Sequence, residues 1–359
     1  MRIAGTKMAF PPYYFRQEEV VAALKSYWDE GMENPAVLER LHSRTGVEGR
    51  YFSRPLDAYK ELDTWGKTND VWIETAVRLG EEAIGGLLQE TGLRPEKLGT
   101  IISVSVTGIA CPTVEARLIN SMALPVHVKR TPIFGLGCVA GASGLARAAD
   151  YVKAYPDQAA ILLSVELCSL TWQRSNRNMP NLIASGLFGD GCGVALLVGE
   201  QLAAEMTDGN PEKLGPRVVD SRATFYPNSE EVMGWAISEK GFEIVLSADV
   251  PTVVKQHLGA NVDGFLATHG MTRTEIASWI MHTGGPKVLD ANAEALGLTR
   301  EDFHLSWEAL RRAGNLSSAS VLMVLDEVMR AHRPEPGARS LLVAMGPGFC
   351  SEMLLLEWS

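Results

Sequence analysis

The chain has little cysteine and places it irregularly. Its five cysteines, Cys111, Cys138, Cys168, Cys192 and Cys350, are an odd number with no C-x-x-C pair. That opposes a disulfide framework or a structural zinc site and suits a reducing cytoplasm. Basic charge is also short, with 33 Lys and Arg against 43 Asp and Glu, a net charge of −10. Nucleic acid and anionic membrane are therefore poor candidates for the main partner, although a local basic patch for a phosphorylated ligand remains open. No segment approaches the roughly 18 uninterrupted apolar residues of a membrane span. The opening Met1-Arg-Ile-Ala-Gly-Thr-Lys-Met8 has too short an apolar run for a secretory signal. Low-complexity tracts are absent.

What remains is an ordinary globular composition, 46% hydrophobic over 359 residues. That length suffices for two domains or one large layered domain. Asn69 to Gln89 has helical spacing, with Trp72, Ile73, Ala76, Val77, Ala83, Ile84 and Leu87 on one face and Gly92 as its stop. A strand from Thr100 to Val106, a helix from Pro112 to Met122 and a strand running into Cys138 follow. The helix Val139 to Val152 leads to a buried strand at Ala160 to Val165, and further strands follow at Gly193 to Val198 and Arg217 to Thr224. The more polar stretch Gln201 to Glu239 reads as a joint between two halves. Beyond it come a strand at Phe242 to Leu246, a helix from Val250, a strand at Trp279 to His282, and helices opening near Pro286 and Asn315. Two apolar strands flanking Gly346-Pro-Gly348 close the chain as a hairpin. This α/β alternation predicts a largely buried sheet between helical layers.

Three polar residues occupy strand-to-helix turns. Cys138 stands in Gly135-Leu-Gly-Cys-Val-Ala-Gly141, where small neighbours admit a close backbone or an extended substrate and the helix dipole favours thiolate. His282 precedes Thr283-Gly-Gly-Pro286, and Asn315 sits in Gly314-Asn-Leu-Ser-Ser318. Taken singly, each has an ordinary role: a buried core thiol, a hydrogen-bonded structural histidine, a helix cap. Together they can do acyl chemistry. Imidazolium beside sulfur stabilises a thiolate that accepts an acyl group from a thioester. Imidazole and carboxamide N–H groups can then donate to a second thioester oxygen, which favours loss of CO2 from a β-carboxy thioester and generates a carbanion without a base.

Five ordered stretches then carry a resemblance: Phe134-Gly-Leu-Gly-Cys-Val-Ala-Gly141, Leu187-Phe-Gly-Asp-Gly191, His282-Thr-Gly-Gly-Pro286, Gly314-Asn-Leu-Ser-Ser318 and Met345-Gly-Pro-Gly-Phe349. The chain resembles the thiolase superfamily and, within it, the chalcone synthase-like type III polyketide synthases. The resemblance implies an α/β, five-layer αβαβα fold with two similar halves, residues 1–205 carrying the nucleophile and 206–359 carrying His and Asn. It implies a cytoplasmic homodimer taking free acyl-CoA and malonyl-CoA (or methylmalonyl-CoA), with no tightly bound cofactor, no metal and no carrier protein. Cys138 would be the nucleophile, and His282 and Asn315 the decarboxylation and oxyanion donors. Phe188 would gate the cavity, with Thr171, Cys111, Ile244, Ser317 and Pro347 in its wall, Cys111 at the dimer-facing edge. Thr171 and Cys111 read equally as packing residues; for Phe188 the alternative is an ordinary core aromatic, against which its motif favours the gate.

Two departures from the family pattern stand out. Ile244 replaces a second gate phenylalanine of plant members, which puts an aromatic starter in doubt, and Thr283 replaces a proline. The segments Thr107-Gly-Ile-Ala-Cys-Pro112 and Val165-Glu-Leu-Cys-Ser-Leu-Thr171 resemble bacterial members that build alkylpyrones or alkylresorcinols, so an aliphatic starter and a pyrone or phenolic product are expected. Arg44 and Arg50 in His42-Ser-Arg-Thr-Gly-Val-Glu-Gly-Arg-Tyr51, with Lys287, are candidates for the CoA phosphates, or else solvated surface charges. A single-condensation ketosynthase of the β-ketoacyl synthase III kind, a thiol hydrolase and a catalytically dead dimeric scaffold are the other readings of the same residues.

Overall fold

A computed structural model describes residues 1–28, 35–173, 176–210 and 213–359. In chain order the strands of the first half are β1 (Arg2–Ala9), β2 (Tyr13–Arg16), β3 (Gly49–Phe52), β4 (Leu98–Val104), β5 (Lys129–Ile133), β6 (Ala159–Leu167) and β7 (Asp190–Val198). Those of the second are β8 (Arg217–Phe225), β9 (Met233–Ser238), β10 (Gly241–Leu246), β11 (Ile276–Met281), β12 (Arg339–Gly346) and β13 (Cys350–Glu357). The helices of the first half are α1 (Gln17–Tyr27), α2 (Pro35–His42), α3 (Trp65–Thr91), α4 (Val114–Ser121), α5 (Ala140–Ala154), α6 (Met179–Leu187) and α7 (Glu200–Thr207). The second half adds α8 (Val250–Ala267), α9 (Pro286–Leu296), α10 (His304–Ala313) and α11 (Ser320–Ala331).

Nine strands form one sheet in the order β11-β12-β13-β8-β1-β7-β6-β4-β5. Its two parts pair at Arg2 and Arg217. On one side of that seam β4–β6 is parallel while β6–β7 and β7–β1 are antiparallel. On the other, β11–β12 is parallel while β12–β13 and β13–β8 are antiparallel. The same strand pattern thus occurs twice, although no sequence repeat reveals it.

Burial on both faces explains why the central strands are continuously apolar. Along β6, Ile161, Leu163 and Val165 pack with α3, whereas Ala160 and Leu162 pack with α5 and α11. Along β12, Leu342 and Ala344 face α5 and α11, while Leu341, Val343 and Met345 join α8 and α9. Alternate residues therefore serve alternate helical layers, which gives five: outer helices, sheet, central α5 and α11, sheet, outer helices. The helix expected at Asn69 to Gln89 is α3, started by Thr64, whose hydroxyl accepts from Lys67 N, and stopped by left-handed Gly92. The closing hairpin is β12–β13.

The stretch read as a joint, Gln201 to Glu239, holds the strand expected at Arg217 to Thr224 and further regular elements. It contains α7, strand β8 in the heart of the sheet, and β9, which pairs with β10 as a separate hairpin. Polar residues are admitted there because β8 buries few of its residues and the hairpin is a surface flap. Residues 211 and 212 of that stretch lie outside those described.

Candidate active site

Cys138 occupies a single 3-10 turn, Gly137–Val139, between β5 and α5. Three close approaches fix that turn. A Cβ on Gly137, whose φ is +53°, would lie 2.7 Å from Pro347 Cδ. One on Gly346 would lie 2.6 Å from Val139 N. One on Gly141 would collide with Ser318 O and lie 2.8 Å from Val321 Cγ1. The glycines therefore bring the Cys138 turn against the β12–β13 hairpin and the turn preceding α11. The thiol donates to Ser317 Oγ at 3.7 Å. Burial pushes the Cys138 thiol up to about 12, partly offset by the Ser317 hydroxyl and reinforced by the nearby Glu166 carboxylate.

His282 follows the last residue of β11, and its N–H donates to Val343 O at 3.0 Å. It is 6% exposed. Its Nδ1 is buried without a hydrogen-bond partner, and burial alone pulls the imidazole down to about 4. No carboxylate accepts a hydrogen bond from it among the described residues. Asn315 is stitched into the segment that carries Phe188: its N–H donates to Leu187 O at 2.8 Å, and its carbonyl accepts from Gly189 N at 3.0 Å. Asn315 Oδ1 accepts from Ser317 N at 2.8 Å and Ser320 Oγ at 3.2 Å. The side chain thus closes the turn ahead of α11 without capping a helix, which commits the oxygen end of the amide and leaves Nδ2 as the available donor. The His282 turn meets the Asn315 segment at Gly285, whose added Cβ would lie 3.2 Å from Leu187 Cδ2.

A cavity with about 730 Å³ of empty volume, part of it open to solvent, adjoins the sulfur. Cys138, Phe188, Thr171, Ile244, Ser317 and Pro347 line it. Trp28, Trp172, Trp235 and Cys168 were not anticipated, yet they make much of its wall. The hairpin β9–β10 supplies Met233, Gly234, Trp235, Ile244 and Leu246. His282 and Asn315 are buried and are not among the residues that line it. Cys111 is exposed and stands outside the cavity of its own chain.

Arg50 is not a phosphate ligand. Its side chain is fully buried: Nη1 donates to Phe188 O at 2.7 Å and Nη2 to Gln17 Oε1 at 3.0 Å. In the antiparallel pairing of β3 with β2 it lies inward, where it holds the Phe188 segment. Arg44 and Lys287 are exposed, as phosphate contacts must be, and Arg40 in the last turn of α2 is a further exposed guanidinium on that edge.

Sequence reasoning also missed two buried carboxylates. Glu166 accepts from Thr107 Oγ1 at 3.0 Å, from Val106 N at 3.2 Å and from Ser318 Oγ. Asp190 accepts from Ser53 N and Ser169 N, both at 2.8 Å. Burial raises both, Asp190 to about 6. An acidic residue inside the nine-residue buried strand β6 was the available signal for Glu166.

A five-layer α/β fold with a buried cysteine at the head of a central helix defines a thiolase-like condensing enzyme. The profile described as "Chalcone and stilbene synthases, N-terminal domain" matches residues 7–201, and its C-terminal counterpart matches residues 217–358. The chain belongs to this family, the type III polyketide synthases, condensing enzymes that take CoA thioesters as substrates. It is 42% identical to the 1,3,6,8-tetrahydroxynaphthalene synthase of Streptomyces peucetius subsp. caesius, covering 99% of this chain and 93% of that protein. It is 36% identical to a putative chalcone synthase of Bacillus subtilis, covering 99% and 97%. The crystal structure of 1,3,6,8-tetrahydroxynaphthalene synthase from Streptomyces coelicolor A3(2) superposes with a TM-score of 0.91 at 28% identity, covering 100% of this chain and 99% of that one. That of PKS-I from Ectocarpus siliculosus gives 0.92 at 28% identity, covering 100% and 98%.

Proposed function

We propose that Cys138 is the acyl-accepting nucleophile, that His282 and Asn315 drive decarboxylation, and that the enzyme extends an aliphatic acyl-CoA repeatedly with malonyl-CoA. The observation that carries this reading is the placement of Cys138 in the wall of a mainly apolar cavity, with the Asn315 amide pinned by its oxygen next to Ser317, the residue that touches the sulfur. Burial disfavours a lone thiolate and a lone imidazolium alike. Transfer of the thiol proton to His282 makes both charges at once, each offsetting the other's loss of water. The thiolate attacks the acyl-CoA carbonyl and CoA leaves as its thiolate, so the proton stays on His282. His282 Nε2–H and Asn315 Nδ2–H then donate to the thioester oxygen of malonyl-CoA, so the enolate formed on loss of CO2 is stabilised in a water-poor site. The carbanion attacks the acyl-cysteine, and the extended chain finally cyclises to a pyrone or a phenolic ring.

Ile244 in the wall supports an aliphatic rather than an aromatic starter. Arg44 and Lys287 would meet the CoA phosphates. A homodimer is supported by the exposed edge strand β5 and by Ile109 and Phe134, 44% and 47% exposed near it. Cys111, exposed on that side, would reach the partner's cavity. Residues 1–205 and 206–359 would be the two halves of one repeated unit, working in the cytoplasm. The test is incubation of the purified protein with acyl-CoA and malonyl-CoA, without carrier protein, followed by mass spectrometry. Products with two or more extensions support the reading; single condensations that require a carrier protein would replace it with a β-ketoacyl synthase III-like one.

A further inference from the structure

The cavity of Cys138 has a neighbour. A second hollow, with about 1240 Å³ of empty volume open to solvent, lies on the far side of the turn that follows β6. Thr107, Thr171, Trp172 and Gln173 line both spaces and so form the wall between them. Trp172 is the largest of the four.

The wall is anchored at several points. Ser169, at the start of the turn, is bonded through its N–H and hydroxyl to the buried Asp190 carboxylate, at 2.8 and 2.6 Å. The Trp172 ring packs against Phe52 and Tyr59, with centroids 5.4 and 5.2 Å apart. Gln173 ties its far end down: Nε2 donates to Lys240 O and Phe242 O at 3.1 and 3.0 Å, and its carbonyl accepts from buried Trp28 Nε1 at 3.2 Å. A side chain held on that many sides does not swing away to admit an alkyl chain, because the aromatic contacts and the anchored backbone would have to break together.

We propose that Trp172 is the floor of the starter site and restricts this enzyme to short acyl-CoA starters. The proposal rests on the reading of Cys138 as the acylated residue and narrows its substrate class. An acyl chain on the sulfur lies along the apolar wall. While further methylenes can be buried, each should improve kcat/KM about fourfold, the equivalent of about 0.8 kcal/mol. Once the chain tip meets the indole, added methylenes must displace packed side chains, and the gain turns into a loss. Truncating the indole joins the two hollows and lets the chain continue among Tyr27, Leu62, Trp65, Leu170 and Phe242.

The experiment measures kcat/KM for starter-dependent product, at saturating malonyl-CoA, over a ladder from acetyl-CoA to palmitoyl-CoA. The wild type should fall by about tenfold or more between butyryl- and dodecanoyl-CoA, and Trp172→Ala should shift the dodecanoyl-to-butyryl ratio by about tenfold or more toward the longer chain. Trp172→Leu, which keeps an apolar contact with Phe52 and Tyr59, should shift the ratio the same way by less, and it decides the matter if the alanine variant does not fold. A wild type that accepts dodecanoyl- as well as butyryl-CoA, or folded variants with an unchanged ratio, would overturn the floor while leaving the condensing chemistry intact. Absence of condensed product with every starter would instead remove the functional reading on which the floor depends.

Discussion

The residues of this site are defined by burial acting on ionisable groups. Cys138 and His282 are each held in the uncharged form, the thiol at about 12 and the imidazole at about 4, because neither can keep its water. The sign of the resulting pH dependence follows. Without an imidazole to take its proton, the thiol must ionise into solvent, so thiolate increases about tenfold per pH unit until the pH reaches its pKa. In His282→Gln, iodoacetamide should therefore alkylate Cys138 slowly near neutrality and with a rate rising steeply from pH 7 to 10. The wild type, able to pass the proton internally, should react faster at neutral pH and respond less to pH. Identical profiles would contradict the pairing. Arg50 acts through the Phe188 carbonyl, not on CoA. Arg50→Gln should lower kcat by about tenfold or more through displacement of the gate and Asn315, while Arg44→Ala raises KM for acyl-CoA. Steady-state kinetics on both variants would separate the roles, and a raised KM with unchanged kcat in Arg50→Gln would restore the phosphate reading. Arg50 shows how a residue's type can be legible and its orientation not: a basic segment announces affinity for phosphate, but strand parity in β3 decides which arginine faces water.

Elements place these side chains through close contact. Helix α5 buries ten of its fifteen residues, seven of them Ala or Gly, because both parts of the sheet and α11 press on it. Gly141→Ala would force a methyl group into Ser318 O and Val321. A loss of about 1–3 kcal/mol is expected, read from urea unfolding, and a change within about 0.5 kcal/mol would show that the central layer yields. Elements with regular periodicity were legible: α3 shows its apolar stripe and its Gly92 stop, and β6 its apolar run. Strand β1 was not, although it lies at the centre of the sheet. A register shift between Ile3 and Gly5 breaks its alternation, and it carries Arg2 and Lys7, whose heads reach Ser359 and Glu90 at the sheet's rim. The flap β9–β10 was half legible, since β9 hides in a polar stretch while its partner has an apolar run.

Across the whole molecule, two equivalent strand patterns back to back make room for one site. Each half sends a helix into the central layer, α5 headed by Cys138 and α11 by the turn of Asn315 and Ser317, and the two heads meet at the sulfur. The turn motifs were legible because glycine is demanded wherever backbones come this close. The duplication was not, because it survives in strand order and direction rather than in side chains. The cavity wall was only partly legible: Phe188 and Ile244 come from recognisable turns and strands, whereas Trp28 and Trp172 arrive from segments that carry no motif. The account turns on a covalent acyl group at one sulfur, and intact-protein mass spectrometry after mixing with acyl-CoA, followed by peptide mapping, tests this most directly. The wild type should gain one acyl mass per chain, located on Cys138, and Cys138→Ala should gain none. Full acylation of Cys138→Ala, or an adduct mapped to another residue of the wild type, would contradict it.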